Sequence, residues 1–485
     1  MSSAIEGLTP APVWKYFAEI SRIPRGSKHE EAMTKYVLDV AKRLGLEAKS
    51  DKFGNVVARK PASRGREKVR TIVLQGHLDM VCEKNSDKKH DFSKDPLELV
   101  RKGNFLMANG TTLGADNGIA VATNLAIMED RSLEHGPLEF LFTVDEETGL
   151  TGASNLGSDF LAGKTLMNLD SEEEGALYVG CSGGRNTVAT WTMASDPAPA
   201  GMVAGALKVT GLRGGHSGLE IDKNRGNSIK LLTRALLLLS EHGGRMASID
   251  GGNKHNAIPR EADSVVFVPK KSWTEAVAAV AAFGKTARAE LGNADPGLSL
   301  TLTEMKGAKR RGVFKRALQR KLLQTLAALP HGVTKMSFDI PGLVETSTNV
   351  ATIKTTKKAV ELVSSQRSSM ASEIDEICVT VATICELGGA EVRHSDGYPG
   401  WKPNLSSAIL KVAQETYQSL YGKRPEVKAI HAGLECGIIG EKYPGMDMLS
   451  FGPTLEGVHS PDERIHIDTV PKFWDFLLGI LKNVR

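Results

Sequence analysis

Acidic and histidine side chains follow apolar, strand-like runs at several places in this sequence. The run VRTIVLQ continues into GHLDMV, so His77 and Asp79 occupy alternate positions where a buried strand leaves its sheet. In an extended segment, side chains two residues apart point to the same face. The run LEFLFTV continues into DEETG and delivers Asp145, Glu146 and Glu147 at a second strand end. Adjacent carboxylates repel one another unless cations neutralise them, which favours a cation-binding role.

Three more candidates lie in comparable positions. Asp116 lies in LGADNG, in a glycine-flanked loop before a helix predicted from Gly118. Asp170 ends an apolar run in LMNLDSEEEG, and His459 follows the strand-like DMLSFG in the loop GVHSPDERI. Each position alone also has an ordinary explanation, namely a packed histidine, a helix cap or a solvated acidic turn. Together, however, the five segments deliver histidines and carboxylates to strand ends, where open α/β sheets bind ligands.

The mixture of imidazole and carboxylate groups indicates which cation would bind. Zinc and manganese accept both nitrogen and oxygen ligands, whereas calcium and magnesium prefer oxygen alone. No cysteine pair has the spacing of a structural zinc site. The residue types therefore predict a zinc or manganese site with a chemical rather than a structural role.

The elements that must position these residues alternate between strand and helix. Apolar strand-like runs alternate with helical runs from Val69 to about Asp170, and the pattern returns in NLSSAILKVAQETYQSLYG, EVKAIHAG, DMLSFG and VPKFWDFLLGILKNV. Such alternation is typical of an α/β sheet covered by helices. We therefore expect both ends of the chain to contribute to one sheet.

Two clusters of small, turn-forming residues separate these ends from a middle segment. They are GCSGGR at 180–185 and SDGYPGWKP at 395–403, and such clusters often mark crossings between domains. The sequence predicts a catalytic domain built from 1–186 and 398–485, with 187–397 inserted as a separate domain. A second strand and helix series, LSLTLTEM and VFKRALQRKLLQTLAALP, also permits an internal duplication of the insert, without a residue-level repeat to prove it.

Composition excludes several other classes of protein. The 485 residues carry 41% hydrophobic and 24% charged residues and a net charge of +4, as in ordinary globular proteins. Basic residues are scattered, so no nucleic-acid partner is expected. The start of the chain lacks a signal-peptide pattern, and no apolar run approaches the length that spans a bilayer. Five cysteines without a pairing pattern favour a reducing, cytoplasmic location.

Seven motifs in this order closely resemble the aminoacyl-histidine dipeptidases, also called cytosolic non-specific dipeptidases or peptidase D. They are GHLDMV, LGADNGIA, DEETGLTGA, NLDSEE, GGHSG, HNAIPR and GVHSPDE, and the resemblance covers essentially the whole chain. That family belongs to the co-catalytic zinc peptidases, with carnosinases, tripeptidase T and aminoacylases. The resemblance implies a discontinuous α/β catalytic domain, with a mixed sheet flanked by helices, and a large inserted α+β lid domain.

The resemblance also implies how five residues hold two zinc ions per chain. Asp116 would bridge the two ions, with His77 and Asp170 completing one site and Glu147 and His459 the other. Manganese or cobalt would be able to substitute for zinc. With three carboxylates against two divalent cations, the centre would keep one positive charge, which a bound hydroxide would neutralise.

Further roles follow from the same resemblance. Asp79 would hold the ring of His77, and Glu146 would act as general base in the hydrolysis of unblocked dipeptides, Xaa-His such as β-alanyl-histidine included. In the insert, His216 would polarise the scissile carbonyl. The substrate carboxylate would be bound by Asn256 and Arg367, with Gly433 giving a backbone contact.

Other outcomes stay open at this point. An N-acyl-amino-acid deacylase would use the same metal core, and a binding protein could retain the fold without catalysis. The resemblance favours a homodimer through the inserted domain, although a monomer is also possible. Nine histidines lack a matching set of neighbours and are expected to be ordinary: His29, His90, His135, His242, His255, His331, His394, His431 and His466.

Overall fold

The computed structural model describes residues 3–307 and 312–485, and twelve α-helices lie within these ranges. In chain order they are α1 Ala11–Ile20, α2 Glu31–Leu44, α3 Ala115–Glu129, α4 Glu146–Gly149, α5 Thr151–Ser154, α6 Ser228–Glu241, α7 Trp273–Leu291, α8 Arg316–Ala328, α9 Ala371–Leu387, α10 Ala408–Tyr421, α11 Glu435–Lys442 and α12 Thr469–Asn483. Short 3-10 helices cover Ser3–Ile5, Lys270–Ser272 and Gly292–Ala294.

The same described ranges contain twenty-six strands, many of them short. In chain order they are β1 Glu47–Ser50, β2 Val56–Lys60, β3 Ile72–His77, β4 Leu99–Lys102, β5 Phe105–Ala108, β6 Leu138–Thr143, β7 Thr165–Asn168, β8 Ala176–Cys181, β9 Gly183–Thr192, β10 Ser195–Pro197, β11 Met202–Thr210, β12 Gly215–His216, β13 Arg245–Met246, β14 Asp250–Gly251, β15 Ala257–Ile258, β16 Ala262–Pro269, β17 Ser299–Glu304, β18 Gly312–Phe314, β19 Gly332–Met336, β20 Val344–Thr355, β21 Ala359–Ser368, β22 Glu391–His394, β23 Glu426–Ile430, β24 Asp447–Ser450, β25 Leu455–Glu456 and β26 Arg464–His466.

The chain divides into two compact units. Unit 1 comprises Met1–Cys181, Trp401–Ala429 and Leu434–Arg485, and unit 2 comprises Ser182–Gly400 and Ile430–Gly433. The predicted insert, 187–397, lies within unit 2. Unit 2 also includes 182–186, 398–400 and 430–433, which the sequence predicts as part of the catalytic domain. Within unit 2, the backbone N–H of Ser182 donates to the carbonyl oxygens of Ile430 and Ala432, both at 3.0 Å.

Unit 1 is built on an eight-stranded sheet in the order β1-β2-β6-β3-β7-β24-β8-β23. Strand β3 runs parallel to β6 and β7, and β24 runs parallel to β7, whereas β2 and β8 pair antiparallel to their neighbours. Every residue of β3, β6 and β7 is buried, which explains why their sequences are apolar without alternation. The prediction of a mixed α/β sheet fed by both ends of the chain is confirmed.

Helices pack on this sheet through apolar faces. Helix α3 packs on β3 and against α1, while α10 packs on β24 and against α12. Helical backbone geometry in α3 begins at Gly118, as predicted, since Asp116 and Asn117 have non-helical dihedral angles and are joined by a cis peptide bond. The bend presents the side chain of Asp116 in a loop rather than on the helix surface.

Unit 2 is built on a ten-stranded sheet whose main order is β17-β11-β16-β14-β20-β21-β9-β22. Its helices α6, α7, α8 and α9 bury leucine, valine and alanine side chains in one core with this sheet, and the leucine run of α6 is part of that core. The GCSGGR cluster, expected as a turn, instead forms the end of β8 and the start of β9. Glycine is needed there because a Cβ on Gly183 would lie 2.5 Å from the backbone nitrogen of Gly400.

Within the described ranges, no helix has both the length and the apolar character needed to cross a bilayer.

Candidate metal centre

The candidate ligands of unit 1 meet where three neighbouring parallel strands end. His77 is the last residue of β3, Asp145 to Glu147 follow β6, and Asp170 follows β7 by two residues. The register pairs His77 with Thr143, so the ends of β3 and β6 lie side by side. Parallel pairing therefore brings residues that are nearly a hundred positions apart in the sequence into one cluster, as the sequence pattern predicts.

The first group of possible ligands surrounds His77, whose side chain is buried. Its Nε2 atom lies 3.1 Å from Asp116 Oδ1 and 3.5 Å from Asp170 Oδ1. One donor atom from each of the three residues lies within 4.8 Å of the others, close enough for a single cation to contact all three.

The second group shares Asp116 with the first. His459 Nε2 lies 3.1 Å from Asp116 Oδ2 and 2.9 Å from Glu147 Oε2. The loop that carries His459 has a positive φ of 60° at this residue. Because the two histidines approach different oxygens of Asp116, this one carboxylate is placed to contact two cations at once.

Charge at this centre is unbalanced toward the negative. Burial alone would lower the pKa of His77, but Asp170, Asp116 and Asp79 raise it well above the ordinary value. Hydrogen bonds that the ring donates to Asp116 and Glu147 raise the pKa of His459 to about 11. Burial and the neighbouring Asp116 raise the pKa of Asp170 well above its usual range, against the effect of His77. The carboxylates thus hold protons on the histidines, and a cation would relieve the same excess of negative charge.

The donor set fits a divalent metal. Oε1 of Glu147 is buried and has no hydrogen-bond partner among the described residues. Zinc ligands lie about 2.0–2.2 Å from the ion in a tetrahedral arrangement, which separates neighbouring ligand atoms by about 3.3–3.6 Å. The four nitrogen–oxygen distances of 2.9, 3.1, 3.1 and 3.5 Å are close to that spacing.

Asp79 lies behind His77 and is fully buried. Its Oδ1 atom lies 3.2 Å from His77 Nδ1, and its carboxylate accepts backbone N–H bonds from Glu146 at 3.1 Å and Glu147 at 3.2 Å. The hydroxyl of Ser27 donates to Oδ2 at 2.8 Å. Burial opposes ionisation, but His77 and these donors lower the pKa of Asp79 to about 2, so the residue stays anionic.

Glu146 lies at the start of α4, beside both groups. Burial raises its pKa well above the ordinary value, and Asp170 and Glu147 add to the shift while His77 opposes it. Donor atoms of His77, Glu146 and Glu147 also lie within 4.8 Å of one another. The geometry therefore brings Glu146 to the candidate metal centre, but its position fits a metal ligand as well as a general base. Its role as general base stays a prediction.

Unit 2 brings together the other four predicted residues in two pairs. His216 is the last residue of β12, and Asn256 immediately precedes β15, the strand that pairs with β12. The backbone N–H of Ser217 donates to the carbonyl oxygen of Asn256 at 2.9 Å. Both residues line a groove of about 740 Å³. The Nδ1 atom of His216 accepts backbone N–H bonds from Gly218 and Leu219, so the neutral ring carries its proton on Nε2.

The second pair is joined by a tyrosine. Arg367 is buried on β21 and donates from Nη1 to the Tyr398 hydroxyl at 2.8 Å, while its buried Nε has no hydrogen-bond partner among the described residues. A Cβ on Gly433 would lie 2.8 Å from Cε2 of the same tyrosine. Arg367 and Gly433, 66 positions apart in the sequence, therefore border one ring.

A family profile matches most of this chain. The profile describes peptidase family M20/M25/M40, and it matches residues 73–483. The chain belongs to this family. The match begins at β3 and ends in α12, so it includes every predicted ligand and base described above.

Two relatives of this M20 peptidase match over nearly their whole length. The cytosol non-specific dipeptidase of Escherichia coli strain K12 is 40% identical over 483 residues, which is 99% of each chain. The crystal structure of aminoacylhistidine dipeptidase from Vibrio alginolyticus is 41% identical, with a TM-score of 0.90, and the match covers 100% of this chain and 98% of that one. A tripeptidase structure from Staphylococcus aureus, 17% identical with a TM-score of 0.57 over 98% of this chain and 99% of that one, shares the fold.

Sequence reasoning missed several residues around the centre of this M20 peptidase. Glu435 is fully buried and accepts hydrogen bonds from Gln75 Nε2 at 2.6 Å and Thr143 Oγ1 at 2.7 Å. Burial raises the pKa of Glu435 to about 7. Its motif HAGLECG was read only for Gly433, because an isolated glutamate in a loop gives no signal of burial.

Arg25 and Glu463 were missed for the same reason. Both are almost completely buried in unit 1, although IPRGS and SPDERI are polar, turn-like stretches. His431, which was expected to be ordinary, is also buried, and in unit 2 it shares a 2.7 Å hydrogen bond through Nε2 with the Ser347 hydroxyl.

Proposed function

We propose that this M20 peptidase hydrolyses the peptide bond of unblocked dipeptides, including Xaa-His dipeptides such as β-alanyl-histidine. The observation that carries the proposal is the shared position of Asp116 between His77 and His459, with Glu146 beside both groups. The names of the two full-length relatives, a non-specific dipeptidase and an aminoacylhistidine dipeptidase, support the same substrate class.

The proposed cofactor is two Zn²⁺ per chain, with Mn²⁺ or Co²⁺ able to substitute. His77, Asp116 and Asp170 would hold one ion, and Asp116, Glu147 and His459 the other, which the donor types favour. When bound, the two ions would supply Lewis acidity that lowers the pKa of water and polarises the scissile carbonyl.

The chain's own residues prepare this site for a cation. The Asp79 carboxylate lies 3.2 Å from Nδ1 of His77 and favours a proton on that nitrogen, so that Nε2, which faces Asp116 and Asp170, would present its lone pair to a bound cation. Because Asp79 stays anionic, it also increases the basicity of the ring. Asp116 contributes one oxygen toward each histidine and needs no movement to serve both groups.

Glu146 is proposed to move the proton. Its carboxylate would accept a proton from the attacking water and donate it to the nitrogen of the leaving amine, so that one residue serves as base and then as acid. The raised pKa of Glu146 supports the first of these steps, because a carboxylate of higher pKa accepts a proton from water more readily. One hydrogen bond from its backbone N–H to Asp79 fixes the start of α4, which carries the side chain.

The residues of unit 2 are proposed to recognise the substrate. The Nε2–H donor of His216 suits the carbonyl oxygen of the scissile bond, since Nδ1 is occupied as an acceptor. Arg367 has a buried donor without a partner among the described residues, and its planar fork suits the substrate carboxylate. Asn256 and Gly433 would add an amide side chain and a backbone contact to the same recognition.

Substrate choice provides the direct test. Purified protein would be assayed with β-alanyl-histidine, alanyl-histidine and their N-acetylated forms, as prepared, after chelation, and after restoring zinc or manganese. We expect cleavage of the unblocked dipeptides alone, loss of that cleavage on chelation and its return with metal. Preference for the acetylated forms would indicate that the protein is a deacylase that uses the same metal-binding residues. Binding of metal without hydrolysis of either form would contradict both activities.

We also propose that the chain forms a homodimer through unit 2. Large apolar side chains of this unit are exposed to solvent, among them Phe338 and, on α9, Val379 and Leu387. Sedimentation equilibrium should then give twice the chain mass of 52.1 kDa. A mass of one chain at micromolar concentration would contradict the dimer without affecting the hydrolytic proposal.

A cytoplasmic location is proposed for the protein. The full-length Escherichia coli relative is named as a cytosol enzyme, and the five cysteines are free thiols in the described structure. Fractionation of cells that express the tagged protein should recover it with cytoplasmic markers; recovery with periplasmic or secreted markers would contradict the location.

A further inference from the structure

Glu463 accepts hydrogen bonds from four consecutive backbone N–H groups. Its Oε2 atom accepts from Leu113 at 2.7 Å and Gly114 at 2.8 Å, and its Oε1 atom accepts from Ala115 at 2.7 Å and Asp116 at 3.2 Å. The residue is only 2% exposed. Both oxygens act purely as acceptors, so one buried carboxylate fixes the whole segment that presents Asp116.

This segment would otherwise be poorly restrained. The first N–H groups of a helix have no partner within the helix, and here the backbone also leaves helical geometry at Asp116. Gly114 has a positive φ of 65° that favours glycine. Without an acceptor at this place, four buried donors would be unsatisfied and the loop could adopt other conformations.

The same carboxylate belongs to the loop of His459. The Glu463 N–H donates to Ser460 O at 3.1 Å, and the Ser460 hydroxyl donates to Gly457 O at 2.7 Å, so 457–463 forms a tight turn. Immediately after Glu463, β26 pairs with β5. Glu463 therefore joins the loop of Asp116 directly to the loop of His459, whose side chains approach to 3.1 Å.

Arg25 forms hydrogen bonds to the other side of the Asp116 loop. It is 2% exposed, and its Nη2 atom donates to Gly114 O. Its Nη1 atom donates to Leu78 O at 3.1 Å and Asp79 O at 2.9 Å, on the segment that follows His77. Burial lowers the pKa of Arg25, and the carboxylates of Glu463 and Asp79 oppose that shift.

We infer that Glu463 and Arg25 are positioning residues that set the spacing of the two metal-binding groups before metal arrives. Together they tie the three segments that carry His77, Asp116 and His459, and neither is among the candidate ligands. The inference rests on the proposed metal centre, although not on the identity of the substrate. Glu463 and Arg25, which lie outside both ligand groups, would thus hold Asp116 in its position between them.

The test compares Glu463→Gln with Asp462→Asn. Glutamine presents an NH₂ group to two of the four backbone donors, which should displace Asp116 relative to His459. Asp462 is the adjacent exposed carboxylate, with no side-chain hydrogen bond or ion pair within the described structure, so its amide variant is a matched control for loss of charge in the same loop.

Chelated parent and variant proteins would be titrated with Co²⁺ by calorimetry, with the cobalt absorption spectrum recorded at each step. We expect Asp462→Asn to match the parent. Glu463→Gln should bind at least one Co²⁺ about 10- to 100-fold more weakly, the range for residues that orient metal ligands, and should show an altered spectrum. The second group, Asp116, Glu147 and His459, should be affected more than the first.

Two results would overturn the inference. One is a Glu463→Gln protein with lower thermal stability in chelator but parental cobalt affinities and spectrum, which would make the residue structural only. The other concerns Arg25→Lys, which keeps the charge but not the planar fork and is used if Glu463→Gln does not fold. Unchanged cobalt binding by Arg25→Lys would then overturn the inference. A parent that binds two Co²⁺ but cleaves no dipeptide would contradict the proposed function and leave this inference intact.

Discussion

His77 in unit 1 and His431 in unit 2 are both buried, yet their surroundings shift their pKa values in opposite directions. Burial opposes protonation of each ring. Around His77, three aspartates overcome burial and raise the pKa well above the ordinary value. Around His431, Arg367 and His216 act in the same direction as burial and lower the pKa to about 3. Burial acts in the same direction on both rings, so the neighbouring charges account for the opposite shifts of the two pKa values.

This difference indicates what each region can bind. The carboxylates around His77 leave an excess of negative charge, which a proton or a metal cation neutralises. The guanidinium of Arg367 leaves an excess of positive charge beside His431, which an anionic group such as a substrate carboxylate neutralises. The two regions thus have opposite charge preferences, which agrees with the proposed metal site around His77 and the proposed recognition of a substrate carboxylate by Arg367.

The regions also differ in how they are built. The acidic groups of unit 1 lie in loops at strand ends, whereas Arg367 lies within β21, among buried hydroxyl and amide side chains of β20 and β21 that satisfy one another. Gln366 Nε2, for example, donates to Thr348 Oγ1 at 3.2 Å and Ser364 Oγ at 2.9 Å.

The largest expected effect removes the shared charge of the acidic region. Asp116→Asn replaces one accepting oxygen by an NH₂ donor, so both groups lose affinity for a cation. Because bound metal supplies several kcal/mol of transition-state stabilisation, we expect dipeptide turnover to fall about 10³-fold or more. Elemental analysis should find fewer than two metals per chain. Two bound metals and near-parental turnover would show that Asp116 is not shared.

Glu146→Gln separates metal binding from proton transfer within the same region. The amide cannot accept the proton of water, so turnover should fall about 10²- to 10⁴-fold, the usual contribution of a general base. Metal content should stay at the parental value, in contrast to Asp116→Asn. Loss of a metal from Glu146→Gln would instead place Glu146 among the ligands, which the grouping of His77, Glu146 and Glu147 also permits.

Asp79→Asn tests the support of His77, the metal-ligand candidate beside which Asp79 lies in the acidic region. The amide no longer offers an anionic acceptor to His77 Nδ1, and we expect metal affinity or activity to fall about 10- to 100-fold. Ser27→Ala, which removes one of the hydrogen bonds to Asp79, serves as a graded control and should have a smaller effect in the same direction. Equal metal affinity in Asp79→Asn and the parent would exclude the orienting role.

The strand-end residues of unit 1 could be predicted because each follows a largely apolar run. Burial on both faces of β3, β6 and β7 removes alternation from the sequence, and parallel pairing then brings the strand ends together. His77 and Asp170 are found by this reasoning alone. Asp116 needed the family motif, since a glycine-flanked aspartate is also a good helix cap.

Glu463 and Arg25, which hold the Asp116 loop in place, could not be predicted. Glu463 reaches backbone groups nearly 350 positions earlier, and Arg25 reaches carbonyl groups that any sequence would provide. A side chain that binds backbone leaves no complementary residue to recognise in the sequence. His431 was missed for a related reason, because its neighbours Arg367 and Ser347 come from distant strands of unit 2.

Arg367→Lys tests the cationic region. Lysine keeps the charge but loses the planar fork, so recognition of a substrate carboxylate should weaken while metal content stays unchanged. We expect KM for alanyl-histidine to rise about tenfold with little change in kcat, the pattern for loss of binding shared by ground and transition states. Arg185→Lys, on the neighbouring strand β9 and paired with Asp375, is the matched control and should leave KM unchanged. A fall in kcat or in metal content for Arg367→Lys would break the division between the two regions.

The smallest expected effect is on the pH dependence of stability, and it isolates His431. Its folded pKa of about 3 lies below the unfolded value near 6.5, so the unfolded chain binds the extra proton as pH falls and the folded state loses relative stability. Between pH 7.5 and 5.5 this single group should cost about 1 kcal/mol. His431→Gln, which can still accept a hydrogen bond from Ser347, should lose that much less stability over the same interval in urea unfolding with chelator present, where release of metal does not contribute. An identical pH dependence in parent and variant would mean that His431 titrates alike in the folded and unfolded states, which would contradict both its lowered pKa and the contrast with His77.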